Sequence, residues 1–280
     1  MSQTLQHWTS RLERLGYRGD WSVRLSRALS SPSSVRVVRH TLLSQRYPAE
    51  APPLRIGFAA DFHAGPMTDP RVLTAACDAL AASRVDLILL GGDFVLLEPS
   101  DLDALLPALK ALRAPLGCYA VLGNHDHWAS ASHIEAGLRG AGVDLLTNRS
   151  IRLPAPFDSV WLCGLDDHWQ GRPDAETAFE GADGVRIILM HAPSGLLDLE
   201  AYTFDLALCG HTHGGQIALP GGIPIVVPHG ALSRKYARGR FALRGGTLIV
   251  TVGVGCSVLP LRVFAPPEVV ICEMEAASGR

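Results

Sequence analysis

The segment Gly123–Asp126, with the sequence GNHD, decides how this chain folds and where its chemistry lies. It follows Gly117–Leu122, a short apolar run that is typical of a buried strand. Polar side chains that can bind a metal or titrate are costly to place against a core unless they have partners there. The sequence therefore predicts a buried strand that ends at a functional site.

Four further groups of polar side chains also follow apolar runs: Asp61–His63 (DFH), Gly91–Asp93 (GGD), His191 and Gly210–His213 (GHTH). Taken singly, the first three are weak signals, because such patterns are usually surface turns, helix N-caps or core histidines. The GHTH group is sharper, because two histidines flanked by glycine after a buried strand are hard to explain by packing. Together the groups predict that the ends of several strands meet at one site.

Strands and helices alternate in the first half of the chain, after an edge strand predicted near residues 35–43. Strands are predicted at Leu54–Ala60, Asp86–Gly91 and Gly117–Leu122, with helices around Val72–Leu80, Leu102–Leu109 and Ile134–Arg139. This alternation predicts a layered α/β domain with parallel strand pairs.

Short strands dominate after residue 143, with only weak helical stretches between them. They are predicted at Val160–Gly164, Val185–Met190, Asp205–Cys209, Ile223–Val227, Leu248–Val252 and Val269–Cys272. We expect this half to form a second sheet that is mixed or mostly antiparallel.

Composition narrows the function classes. The 280 residues are 48% hydrophobic, which is enough for a large core, and the net charge of −2 gives no argument for nucleic-acid binding. No run of 18 apolar residues is present, and the six cysteines form no CxxC pair. We therefore expect a cytoplasmic protein with reduced cysteines and no nucleic-acid partner.

Residues 1–34 are a basic extension with apolar residues at helical spacing. Leu5, Trp8, Leu12 and Leu15 predict one amphipathic helix, and Trp21, Leu25 and Leu29 predict a second. Two interpretations stay open: the helices pack on the domain surface, or they lie peripherally on the anionic inner face of a membrane. The first is favoured, because surface packing is the commoner fate of such helices.

The five polar groups, in this order, resemble the calcineurin-like metallophosphoesterases, whose motifs are D-x-H, G-D, G-N-H-D/E, a lone H and G-H-x-H. Further segments resemble the branch with bacterial YkuE- and YaeI-type phosphodiesterases: Gly164–Asp167, Gly171–Asp174, Gly214–Gln216 and Ser257–Glu268. One departure is His191-Ala192-Pro193, where the branch usually has His-Asn-Pro; the histidine itself is retained.

The resemblance implies a four-layer α/β/β/α sandwich, with two mixed sheets flanked by helices and two divalent metal ions between the sheet edges. It assigns Asp61, His63, Asp93 and His213 to one ion, and Asp93, Asn124, His191 and His211 to the other. Oxygen and imidazole ligands suit Mn, Fe and Zn alike, so the metal stays open. The single domain is expected to span residues 35–275, followed by a tail at 276–280.

The resemblance also implies the chemistry: a metal-bridged hydroxide attacks a phosphoester, and His125 assists the leaving group. Asp126 is expected to orient His125 and raise its pKa. His168 and Trp128 are each compatible with a place in the cleft or a structural role. The remaining histidines, His7, His40, His127, His133 and His229, fit no motif.

The expected substrate is a phosphodiester or a pyrophosphate. The apolar segment Val258–Phe264, together with the amphipathic residues 1–34, points to a lipid-linked or nucleotide-sugar substrate. Two alternatives remain: a phosphomonoesterase, and a non-catalytic scaffold with the same fold. Retention of every ligand position argues against the scaffold.

Overall fold

The computed structural model describes residues 21–29, 35–199, 201–228 and 230–277. The first amphipathic helix predicted in the N-terminal extension, around residues 5–15, lies outside these ranges. The second is present as α1 (Trp21–Leu29). In the described ranges, no helix combines the length and the apolar character needed to cross a membrane.

The first sheet has six strands in the order β1-β14-β2-β3-β4-β5. They are β1 (Arg36–Ser44), β2 (Leu54–Ala59), β3 (Leu87–Leu90), β4 (Cys118–Ala120), β5 (Asp144–Leu145) and β14 (Glu268–Ala276). Strands β2 to β5 run parallel, and β14 is antiparallel to β2. β1 forms the edge, as the sequence predicts, and pairs with β14 in parallel.

The second sheet also has six strands, in the order β12-β13-β9-β8-β7-β6. They are β6 (Arg149–Arg152), β7 (Val160–Gly164), β8 (Val185–Leu189), β9 (Leu206–Cys209), β12 (Gly239–Leu243) and β13 (Gly246–Val250). The central strands β7, β8, β9 and β13 are parallel, and both edge strands are antiparallel. Both sheets are mixed, as expected.

Helices cover the outer faces of the two sheets. They are α2 (Pro70–Ala82), α3 (Leu106–Ala111) and α4 (Asn124–Gly140) on the first sheet, and α5 (Ala175–Ala178) and α6 (Ala231–Lys235) on the second. A central core of Phe58, Leu89, Ile187 and Leu208 packs the sheets against each other. These layers make an α/β/β/α sandwich, as the resemblance implies.

Three sequence-based predictions of elements need correction. Val269–Cys272 belongs to the first sheet, where β14 lies between β1 and β2, and not to the second. The strand predicted at Ile223–Val227 shrinks to β11 (Ile223–Pro224), which forms a small hairpin with β10 (Ala218–Leu219). α4 begins at Asn124, ten residues before the predicted helix near Ile134, because the GNHD segment itself forms the first turn.

Candidate metal centre

All seven predicted metal ligands gather where parallel strands of the two sheets end. Asp61 and His63 follow β2, Asp93 follows β3, and Asn124 opens α4 after β4. From the second sheet, His191 follows β8, and His211 and His213 follow β9. Every one of these seven side chains is buried. Residues as distant in the chain as His63 and His213, which are 150 positions apart, therefore share one pocket.

The first ligand group consists of Asp61, His63 and His213, whose ligand atoms all lie within 4.8 Å of one another. The Nε2 atoms of His63 and His213 are 3.0 Å apart. The Oδ2 atom of Asp93 lies 3.5 Å from Nε2 of His63. These four side chains match the set that the resemblance assigns to one ion.

The second ligand group consists of Asp93, His191 and His211, again within 4.8 Å. Nε2 of His191 lies 3.2 Å from Oδ2 of Asp93, 3.1 Å from Oδ1 of Asn124 and 3.2 Å from Nδ1 of His211. The Oδ2 atom of Asp93 thus approaches both groups. That is the position expected of a carboxylate shared by two ions.

Five of the seven ligand residues have a left-handed backbone conformation. Asp61, His63, Asp93, His211 and His213 all have φ between 42° and 70°. Such values are uncommon outside glycine and accumulate at functional sites, where the surrounding structure holds them. Because β2 ends at Ala59, the alternation of side chains along a strand does not bring Asp61 and His63 together. Left-handed turns bring the two side chains together instead.

Glycines in the motifs make room for the ligands. A Cβ atom on Gly123 would collide with Oδ1 of Asp93, and one on Gly210 would collide with Oδ2 of Asp61. Both glycines thus allow the backbone to pass directly beside a buried carboxylate.

The donor set fits divalent ions. Nδ1 of His191 lies 2.8 Å from the carbonyl oxygen of Gly91, so this nitrogen carries a proton that it donates. When the His191 ring is neutral, its Nε2 atom directs a lone pair at the oxygens of Asp93 and Asn124. Lone pairs that face one another in this way are stabilised by a cation between them. Within the described ranges, Nδ1 of the buried His63 has no hydrogen-bond partner.

Burial and charge set the protonation of these groups. Burial lowers the pKa of His63 and of His213 well below the usual value and raises that of Asp61 to about 7. Burial opposes ionisation of Asp93 and His191 as well, but their mutual attraction holds the pKa of Asp93 low and that of His191 high. The neutral rings of His63 and His213 keep lone pairs for a metal.

His125 and Asp126 have different partners from those expected. Nδ1 of His125 lies 2.6 Å from the carbonyl oxygen of Leu96, and its ring contacts Trp128. The carboxylate of Asp126 instead accepts backbone N–H groups of Asp93, Phe94, Val95 and Gly123. The expectation that Asp126 orients His125 directly is therefore corrected. Asp126 ties the loop after β3 to the start of α4, and the Leu96 carbonyl orients His125.

Replacing Asp126 by asparagine is expected to lower the stability of the metal-free protein. Its four hydrogen bonds lie at 2.8–3.3 Å inside the core, and an amide NH₂ would face donors where the carboxylate accepts. Leaving buried N–H groups unpaired costs about 1–3 kcal/mol each. At about 2–4 °C per kcal/mol for a chain of this size, the melting temperature should fall by at least about 5 °C.

The measurement is thermal unfolding in the presence of a chelator, so that metal loss is not the cause. The matched control is Asp78→Asn, an exposed aspartate on α2. An unchanged melting temperature for Asp126→Asn would show that the carboxylate does not hold the two segments together.

A cavity of about 750 Å³ opens beside the ligands. Asp93, Asn124, His125, His211 and His213 form its polar end. The rest of the wall is mainly apolar and comes from α4, from the segments around residues 169 and 225–228, and from Val258 and Leu259. Val258 and Leu259 belong to the apolar Val258–Phe264 segment, so this segment forms part of the apolar wall.

Sequence reasoning missed three residues at this site. Nη2 of Arg262 lies 3.1 Å from Nδ1 of His213. The amide of Gln216 binds both Ser257 and Leu259 and so fixes the loop that lines the cavity. Trp169 forms part of the wall. Arg262 has a sequence signal, a lone cation in an apolar segment, and Gln216 lies in the Gly214–Gln216 segment that carries the resemblance. Trp169 has no such signal.

A family model for calcineurin-like phosphoesterases matches residues 54–215. The chain is 29% identical over 255 residues to the uncharacterized metallophosphoesterase YkuE of Bacillus subtilis, covering 88% of each chain. It is 32% identical over 248 residues to the phosphodiesterase YaeI of Escherichia coli, covering 87% of this chain and 89% of YaeI.

Among solved structures, a dimetal phosphatase from Danio rerio is similar with a TM-score of 0.47 and 13% sequence identity. The match covers 72% of this chain and 88% of the zebrafish protein. The family assignment depends instead on the family model, which spans more than half of the chain, and on the identity to YaeI over most of its length. The chain belongs to the calcineurin-like phosphoesterase family and is a metallophosphoesterase with a metal-binding site.

Proposed function

We propose that this protein hydrolyses a phosphodiester or a pyrophosphate with the help of two divalent ions, Mn, Fe or Zn. The observation that carries the proposal is the position of Asp93, whose Oδ2 approaches both ligand groups at the polar end of the cavity. The similar protein YaeI is named a phosphodiesterase, which supports the choice of a diester.

In this proposal, Asp61, His63, Asp93 and His213 hold one ion, and Asp93, Asn124, His191 and His211 hold the other. When bound, the two ions supply positive charge for the phosphate oxygens and lower the pKa of water toward neutrality. The ligand residues would set the position of the phosphate at the polar end of the cavity.

His125 is the proposed general acid. Its Nδ1 is tied to the carbonyl oxygen of Leu96, which leaves Nε2 as the atom that can deliver a proton. His125 lines the cavity beside Asp93 and Asn124, where a leaving oxygen would lie. In its protonated form the ring donates from both nitrogens at once, so the Leu96 bond is kept while Nε2 gives up its proton.

The apolar wall favours a substrate that carries an apolar ester group, as in a lipid-linked diester or an acylated nucleotide sugar. A phosphomonoester has a single ester group, and one additional ionisable oxygen stands in place of the second. An apolar wall does not compensate the lost hydration of that oxygen. The diester is therefore preferred over the monoester.

A series of p-nitrophenyl alkyl phosphates tests this function with purified protein and defined metals. We expect kcat/KM to rise as the alkyl chain lengthens, by up to about fourfold for each methylene that the wall buries, because burial of one methylene stabilises by about 0.8 kcal/mol. p-Nitrophenyl phosphate, the monoester, should be turned over more slowly than every member of the series.

Leu259→Ser is the matched variant, since Leu259 lines the wall and its backbone oxygen remains bound to Gln216. In this variant kcat/KM should rise less steeply with the length of the alkyl chain, and kcat/KM for the shortest ester should be nearly unchanged. Faster turnover of the monoester would favour the phosphomonoesterase alternative. Absence of both bound metal and turnover would favour a scaffold.

A further inference from the structure

Exposed apolar side chains lie on the segments at the apolar end of the cavity and on the strands and bridges paired with those segments. We define the apolar rim as Leu219, Ile223, Ile225, Val226, Val258 and Phe264. Val226 and Val258 are 68% and 73% exposed, respectively, and the other four are at least half exposed. Single exposed hydrophobic residues are ordinary, but six on adjoining segments mark an interaction surface.

Hydrogen bonds hold these segments together as one surface. Leu219 pairs with Ile223 in the β10–β11 hairpin, and the backbone N–H of Ile225 binds the carbonyl of Ile217. Ile217 also forms a bridge with Val263, next to Phe264. The rim is therefore a built platform that holds its apolar side chains outward.

Phe264 adds a second observation. Its φ is 52°, a left-handed value that is unusual for a bulky aromatic residue, and its side chain is 57% exposed. Neither burial of the ring nor a relaxed backbone explains this conformation. Strain of this kind persists where the surrounding structure imposes it, and it accumulates at binding sites.

The chain segment that carries the rim is basic. Residues 206–267 contain six basic residues and no aspartate or glutamate. One of the six, Arg262, points inward to His213 and to the carbonyl oxygen of Val252 and adds no charge to the rim. The rest of the chain has 19 basic and 27 acidic residues, a balance of −8. Nη1 of Arg238 lies 3.2 Å from the carbonyl oxygen of Phe264, which places a cation at the rim itself. Arg234 and Lys235 are exposed on α6, and Arg240 binds Thr41 and points elsewhere.

We propose that the apolar rim docks onto the surface of an anionic lipid bilayer. Apolar side chains beside lysine and arginine are the combination that binds such surfaces: the former enter the acyl boundary and the latter meet the headgroups. A second copy of the chain would bring like charges face to face, which disfavours self-association through the rim. Ile225, Val226 and Val258 also line the cavity, so a docked rim would open the metal centre toward the bilayer.

Vesicle co-sedimentation of the full-length protein tests the proposal without any need for turnover. Vesicles of phosphatidylcholine mixed with phosphatidylglycerol should pellet the protein, and vesicles of phosphatidylcholine alone should pellet much less. The double variant Val226→Asp/Val258→Asp should lower the partition coefficient at least about tenfold, because two charges would enter the apolar boundary. Both side chains are exposed, so the melting temperature should stay the same, which a thermal scan checks.

Leu43→Asp is the matched control, since Leu43 is 63% exposed on β1 and lies outside the rim. It should bind vesicles as the wild type does. Deletion of residues 1–34 should leave the rim-dependent binding in place. Equal binding of the wild type and the rim variant would overturn the proposal, and so would loss of all binding on deletion of residues 1–34. A dimer that the rim variant dissociates, without vesicle binding by the wild type, would instead identify a self-association surface and overturn it too.

Discussion

Asp93→Asn is expected to abolish metal binding at one or both positions and to lower kcat/KM by at least about a thousandfold. The substitution is nearly isosteric. Oδ1 can still accept the backbone N–H of His125, at 2.9 Å in the native protein. The Oδ2 atom that approaches His63 and His191 is replaced by an NH₂ group, which carries no negative charge and cannot bind a cation. The two ligand groups then lose the one carboxylate they share.

Metal content by elemental analysis and turnover of a diester are the two measurements. Asp78→Asn provides a control of the same chemistry on the surface of α2. We expect the variant to fold, because the backbone bonds that Asp126 makes around Asp93 are untouched. Retention of two tightly bound ions by Asp93→Asn would remove the shared-carboxylate assignment and, with it, the proposed function.

The residues of the site were predictable from the sequence, but the way in which they meet was not. Polar groups at the ends of apolar runs identify Asp61, Asp93, His191 and the GHTH pair, because parallel strands that end at the same edge of a sheet bring such residues together. The left-handed conformations of Asp61 and His63 have no such signal. They depend on hydrogen bonds to the neighbouring strand end, such as that from the N–H of Asp61 to the carbonyl of Gly92.

Long-range strand pairing explains why Val269–Cys272 lies in the first sheet and not, as predicted, in the second. Val269–Cys272 follows the strands of the second sheet in the chain, and only its partners β1 and β2 put it in the first. The hydrophobic pattern of a strand cannot show that the chain returns to the first sheet. A strand that is buried on both faces has the same apolar pattern in either sheet. The partners of Asp126 also depend on contacts that sequence proximity does not show. A carboxylate next to His125 in sequence was expected to contact it, whereas the helical turn directs Asp126 to backbone groups across the loop.

His125→Ala is expected to keep both ions and to lower kcat by about a hundredfold to ten-thousandfold, the usual contribution of a positioned general acid. The loss should depend on the leaving group. An alkoxide needs a proton as it departs, whereas p-nitrophenolate is stable without one. The variant should therefore turn over p-nitrophenyl esters with a small loss and dialkyl phosphodiesters with the full loss.

Metal content separates this role from the alternative in which His125 is itself a ligand. That alternative has a structural basis, since ligand atoms of His63, Asp93 and His125 also lie within 4.8 Å of one another. A ligand role would lower metal occupancy and slow all substrates alike, whatever their leaving group. His133→Ala, an exposed histidine on the same helix, should change neither quantity. Because Nδ1 of His125 is engaged by the Leu96 carbonyl, only Nε2 is available for either role, and the leaving-group dependence decides whether that atom carries a proton or a metal.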